Sequence, residues 1–148
     1  MLKAAQFIAM VLTALTLVPL GAHVAELPNK IHLAQVDYFI AQSMYRGWAY
    51  FGVIIIGAVI ANLALAVLVR WQSTAFVLVM VNLLCVTTTL AIFFAFTYPA
   101  DVATDNWTTI PVGWQHLRWQ WEVSHAVNAA IAFAGFCALT WSLLLTRE

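Results

Sequence analysis

The sequence predicts an all-α protein, a four-helix transmembrane bundle with an ordered extramembrane cap, and three observations carry that expectation. The 148 residues are 64% hydrophobic and only 8% charged, against about 25% charged in an ordinary soluble domain. Four windows without Asp, Glu, Lys or Arg run from Ala4 to Ala25, Gly47 to Val69, Trp71 to Ala100 and Val123 to Thr146. Each reaches the roughly 20 residues that cross the hydrocarbon core as a helix. The polar residues gather instead in two long connections, between the first and second windows and between the third and fourth. In lipid a helix satisfies its backbone groups internally, so helices are expected at about 4–26, 38–70, 72–98 and 114–146, within a single domain 1–148.

The first helix follows Lys3 and passes Leu20, Gly21 and Ala22, a pattern that also fits a secretory signal. Its apolar run is long enough to span a bilayer, and we read it as a retained first helix. Pro28 is expected to end or kink it. Between Ile31 and Trp48 the apolar positions recur at helical spacing, which suits a short interfacial helix leading into the second span. Tyr45, Trp48 and Tyr50 then fit an aromatic belt. A short turn around Arg70 to Thr74 joins helices two and three, and Pro99 and Pro111 bracket an ordered loop ahead of helix four. Asn62, Asn82, Asn128 and Thr87 to Thr89 are uncharged polar residues within the spans, and such groups ordinarily bond from helix to helix.

Zero formal net charge and the lack of a basic run give no footing for nucleic acid as a partner. The expected partners are the lipid bilayer, a lipophilic small molecule, and further copies or a larger membrane complex. Cys85 and Cys137 lie in apolar stretches and form neither a disulfide framework nor a metal-ligand spacing. Lys3, Arg70 and Arg147 fall on one side of the membrane and Lys30, Arg46 and Arg118 on the other. The shorter, denser basic segments place both termini in the cytoplasm of a multi-pass cell-membrane protein.

The chemically dense stretch runs from Trp114 to Asn128, with three tryptophans, two histidines, Arg118 and Glu122. On a helix, Trp114, Arg118, Trp121, Glu122 and His125 gather on one side. Helix one ends His23-Val-Ala-Glu26 and helix four opens Glu122-Val-Ser-His125, so each puts a carboxylate and an imidazole about one turn apart. In an up-down bundle these two ends share a side, and His23, Glu26, Glu122 and His125 are candidate metal ligands. Di-iron and di-manganese bundles use Glu-x-x-His pairs with further glutamates. Here Asp37 or Asp101 would have to replace those, so a mononuclear site for iron, copper or zinc fits the inventory better. Alternatives stay open: haem held between His23 and His125, or a cofactor-free pocket with His125 as base and Arg118 stabilising an anion. Glu122, four residues after Arg118, could equally be its ion-pair partner.

The order of features, a Leu27-Pro28 step closing the first helix, Pro99 closing the third, then Trp114, Leu117, Arg118, Trp121, Glu122 and His125 leading into the last, resembles the family of small four-helix membrane proteins related to anthrone oxygenase. The resemblance implies oxidation of a polycyclic anthrone to an anthraquinone by molecular oxygen with no evident cofactor, and points to Pro99, Trp114, Trp121 and His125. This chain departs from the pattern at Asp101, where asparagine is common, and at Val127, where arginine often stands. The expected function is thus an oxygen-dependent oxidoreductase or oxygenase acting on a lipophilic aromatic molecule. His125, Arg118 and Glu122 would be catalytic, and Trp114, Trp121 and Asn128 would contact the substrate. The alternative is a non-catalytic membrane protein, either a binder of a lipophile or haem, or an accessory subunit.

Overall fold

A computed structural model of the chain describes residues 1–146, so Arg147, counted above among the basic residues of one side, lies outside the described residues. Its helices are α1 (Leu2–Lys30), α2 (Gln35–Gln42), α3 (Phe51–Val69), α4 (Ser73–Ile92), α5 (Tyr98–Ala103) and α6 (Trp114–Leu145). Among the described residues four stretches are long and apolar enough to cross a membrane: Leu2–Lys30, Trp48–Val69, Ser73–Ala103 and Trp114–Leu145. They pack in a ring, α1 against α3 and α6, and α4 against α3 and α6. The expected four-helix bundle is therefore the observed one. Its up-down course brings the end of α1, the start of α3, α5 and the start of α6 to the same end.

The helix boundaries differ from expectation in three places, each with a physical reason. Pro28 does not end α1, which continues to Lys30 and closes with the Ile31 N–H on the Leu27 carbonyl at 3.0 Å. A membrane helix tolerates proline where neighbouring helices and side chains take up the freed backbone groups. The helix expected at 38–70 is divided. Gly47, at φ +91°, separates α2 and a following 3-10 turn (Ser43–Tyr45) from a second such turn (Trp48–Tyr50) that opens α3. Only glycine takes that backbone angle at no cost. The third span does not stop at residue 98 but passes through a π-turn, Phe93–Thr97, into α5, with the Tyr98 N–H on the Phe93 carbonyl. Pro99 sits in the first turn of α5, where its missing N–H is least felt. The Gln120 side chain donates to the Phe96 carbonyl of the π-turn at 2.7 Å.

Between α5 and α6 the chain turns through Asp105, Asn106 and Trp107, all left-handed at φ 48°, 53° and 62°. Asparagine and aspartate visit that region readily, whereas for tryptophan it costs on the order of 1–2 kcal/mol. The Trp107 indole is buried at the aromatic end of the bundle, which offsets the cost.

The core divides by depth. Away from the aromatic end, Ala9, Leu65, Ala66, Val69, Val79 and Leu139 form an aliphatic cluster. In the middle, Asn62 donates to Thr13 Oγ1 at 3.0 Å and Asn82 donates to Asn62 Oδ1 at 2.8 Å, tying α1, α3 and α4 together. At the other end Tyr38, Ala100, Trp107, Trp114 and Trp121 pack as an aromatic core. Gly135 lets α6 meet α4 closely: a Cβ there would stand 2.7 Å from Cys85 Cβ and 2.9 Å from Asn82 Oδ1. Gly135→Ala should lower stability by about 1–3 kcal/mol through overpacking. Thermal unfolding in detergent reads this against Gly21→Ala, whose Cβ meets nothing within 4 Å and which should cost nothing.

Candidate functional site

Because α1 runs past Pro28, His23, Glu26 and Lys30 follow one another along one side of it, at i, i+3 and i+7. Lys30 projects into the aromatic end, with its side chain 5% exposed. Its ammonium donates to the Tyr45 hydroxyl at 2.8 Å and lies 3.1 Å from Glu122 Oε1 and 3.9 Å from Glu26 Oε2. It also stands 4.2 Å from the centroid of the Tyr45 ring and 4.5 Å from that of Trp121, a range in which the ring quadrupole attracts a cation. Glu122 is thus paired with Lys30. The Arg118–Glu122 pair, the alternative that local spacing offered, is not formed: Arg118 instead donates to the Leu33 carbonyl at 2.9 Å and lies over the Trp114 and Tyr38 rings. An ammonium arriving from α1 displaces the neighbour four residues away on α6, because a buried carboxylate gains most from a buried cation.

The Glu122 carboxylate is 1% exposed. Besides Lys30, its Oε1 accepts the Tyr38 hydroxyl at 2.9 Å, and Gln42 Nε2 donates to the Tyr38 oxygen at 2.6 Å. Tyr38 belongs to α2, outside the spans. Burial, and then the Glu122 carboxylate beside it, push its phenol well above the usual range, so it acts as a donor. Glu122 Oε2, Gln42 Oε1 and His23 Nδ1 are buried without a hydrogen-bond partner. Such atoms ordinarily find one.

The two histidines meet. The His23 and His125 ring centroids are 4.1 Å apart, edge to face, and Trp121 lies 4.8 Å from His23 and 4.0 Å from His125. Tyr45 and Trp48 close the other side of His23, at 4.6 and 5.5 Å. His125 Nδ1 is 2.9 Å from the Trp121 carbonyl. A carbonyl only accepts, so Nδ1 carries the proton and Nε2 keeps its lone pair. Asp101 holds the aromatic wall in place, its Oδ1 accepting the indole N–H groups of both Trp107 and Trp121 at 2.9 Å.

The four candidate metal ligands, His23, Glu26, Glu122 and His125, therefore reach one end of the bundle, but Lys30 stands between the carboxylates. Among the described residues no three His, Cys, Asp or Glu side chains form a metal-ligand group. The histidine rings touch, leaving no gap for a porphyrin plane between them. Of the expected substrate contacts, Trp121 abuts both histidines. Trp114 packs instead against Tyr38 and Phe39, at 6.0 and 5.7 Å. Asn128 Nδ2 donates to the Thr89 carbonyl of α4 at 3.1 Å, while its Oδ1 is buried without a partner. His32, His116 and Asp37 are exposed. A groove of about 210 Å³ lies on the outer side of α6, lined by residues such as Phe96, Gln120 and Ser124. It does not include the histidines.

Sequence reasoning missed Lys30 and Tyr38. For Lys30 the available signal was Glu26 four residues before it, with the glutamate N-terminal to the lysine as a helical pair prefers. For Tyr38 it was the helical spacing already noted between Ile31 and Trp48. Fold and site together define a multi-pass membrane bundle with a buried ion pair and a histidine pair inside an aromatic cluster. No protein-family model, curated protein or solved structure matches the chain.

Proposed function

We propose that the chain is a membrane-embedded, oxygen-dependent oxidoreductase acting on a lipophilic aromatic substrate at the aromatic end of the bundle. The observation that carries this reading is the His23–His125 pair against Trp121, with the Lys30–Glu122 pair beside it. His125 Nε2, its lone pair fixed by the bond from Nδ1 to the Trp121 carbonyl, is suited to remove a proton from a carbon next to an aromatic ketone. Lys30, 4.5 Å from the centroid of the Trp121 ring that lies against His125, takes over the anion-stabilising role. The resemblance to anthrone oxygenase-like proteins, through Trp114, Trp121 and His125, supports the same chemistry. A ring methylene becomes a carbonyl, and one O2 gives that oxygen atom and one water. We place the protein in the cell membrane with both termini cytoplasmic, so that the site lies toward the opposite face.

Oxygen uptake by the purified protein in mild detergent, with a hydroxyanthrone as substrate, tests the reading. One O2 should be consumed per anthraquinone formed, and His125→Ala should slow turnover by about 10²–10⁴-fold. The second reading, a non-catalytic membrane protein, is favoured by the tight packing of the cluster, whose Glu122 is already ion-paired and closed to the exterior. Folded wild-type protein that consumes no oxygen with any anthrone-type substrate would leave that reading standing.

A further inference from the structure

We infer that the aromatic cluster binds neutral, lipophilic molecules bearing one weakly acidic O–H, phenols and enols, through a proton exchange within the Lys30–Glu122 pair. The guest's proton passes to Glu122 Oε2, and the guest's oxyanion takes the carboxylate's place on Lys30 Nζ. The inference rests on reading this cluster as the substrate site, and names the class of molecule that site accepts.

Three observations lead to it. Glu122 Oε2 is a buried acceptor without a donor, and a guest that brings an O–H or N–H would satisfy it. Lys30 commits two of its three N–H groups, to Tyr45 at 2.8 Å and Glu122 Oε1 at 3.1 Å. The remaining contact, to Glu26 Oε2 at 3.9 Å, is too long for a hydrogen bond. The walls beside the ammonium are flat: the Tyr45 and Trp121 rings flank it, and His23 stands edge-on to Trp121. Tyr45 and Trp48, which form the outer wall, are half-buried.

Charge balance selects the exchange over simple anion binding. The pair begins as ammonium and carboxylate with no net charge. After exchange it is ammonium, neutral Glu122 and a bound oxyanion, again with no net charge. One O–H bond breaks on the guest and one forms on Glu122, and nothing is oxidised or reduced. An anion entering from water would instead add a second negative charge beside Glu122, where desolvation makes it most costly. The other ionisable groups around the pair are His23 and Glu26 from α1, Tyr38 from α2, Tyr45 from the following turn, Asp101 from α5 behind Trp121, and Arg118 and His125 from α6. Tyr38 does not compete as a proton source, because its phenol is pushed up by burial and by Glu122 itself.

The test uses the full chain in detergent micelles and an alkyl-substituted nitrophenol, at a pH where the free probe is neutral, with empty micelles as the blank. Wild type should develop the long-wavelength phenolate band to saturation while tryptophan fluorescence is quenched. The probe's methyl ether, of the same shape, should bind at least about tenfold more weakly. The wild-type affinity should be flat with pH below the probe's own ionisation, since no proton leaves the complex. Glu122→Gln has nowhere to keep the proton, so its affinity should rise about tenfold per pH unit over that range. Lys30→Met should show no phenolate band. Equal binding of phenol and ether by wild type, which needs no variant to fold, overturns the inference, as does a wild-type spectrum without the band or a band undiminished in Lys30→Met. A saturable phenolate band without oxygen uptake from a hydroxyanthrone supports this inference and counts against the oxygen chemistry alone.

Discussion

Lys30→Met is expected to destabilise the protein by about 3–5 kcal/mol, the cost of leaving a buried carboxylate without its cation. Glu122 is 1% exposed, and its other donor is the neutral Tyr38 hydroxyl, which brings no charge to replace the ammonium. Adding Glu122→Gln to Lys30→Met should recover most of the loss. The amide carries no charge, keeps an oxygen for Tyr38, and sits beside the methionine in an apolar setting. A double-mutant cycle on thermal or detergent unfolding measures the coupling. Additive effects of the two substitutions would mean that the ammonium and carboxylate do not hold one another.

Trp121→Ala should cost about 3–5 kcal/mol, as for other large aromatic truncations in a packed core, while Trp119→Ala, two residues away, should stay within about 0.5 kcal/mol. The two tryptophans differ in what they touch. Trp121 is 4% exposed, and contacts both histidines, Tyr45, Trp107 and the Lys30 ammonium, with its indole N–H on Asp101. Trp119 is 58% exposed and faces outward. Unfolding curves of the two variants, compared in the same detergent, decide the matter; similar losses would place the stabilising contacts outside the cluster.

The spans and the centre of the site were legible because lipid simplifies the inference. Charge-free windows of spanning length allow little besides helices, and an up-down course makes the ends of helices one and four neighbours. Two i, i+3 pairs on different helices therefore pointed to one end of the bundle, but whether His23 and His125 meet depends on how helices one and four rotate about their axes, which the sequence does not carry. Lys30 could not be placed, because a proline in the last turn was read by the rule for water, where a helix has solvent to fall back on. Local spacing offered Arg118 as one partner for Glu122. Spacing along one helix carries no information about a cation delivered by another, and the buried partner prevailed. The break at Gly47 and the π-turn at 93–97 were likewise hidden. The π-turn lies in apolar and aromatic sequence where no polar face marks a change of rotation, and the apolar spacing on either side of Gly47 reads as one continuous helix.

The π-turn has a consequence for how the site could be lost. Such a turn takes in one residue more than an α-helical turn without adding rotation, so everything after it lags by about 100°. In genetic terms it is the equivalent of a one-codon insertion. Were Phe93–Thr97 wound as plain α-helix, Asp101 would swing to the direction now taken by Val102, which is 61% exposed. The indoles of Trp107 and Trp121 would lose their shared acceptor although every residue of the site remained encoded. In the third span the reading frame of the helix, as much as the identity of its residues, determines whether an aromatic site exists.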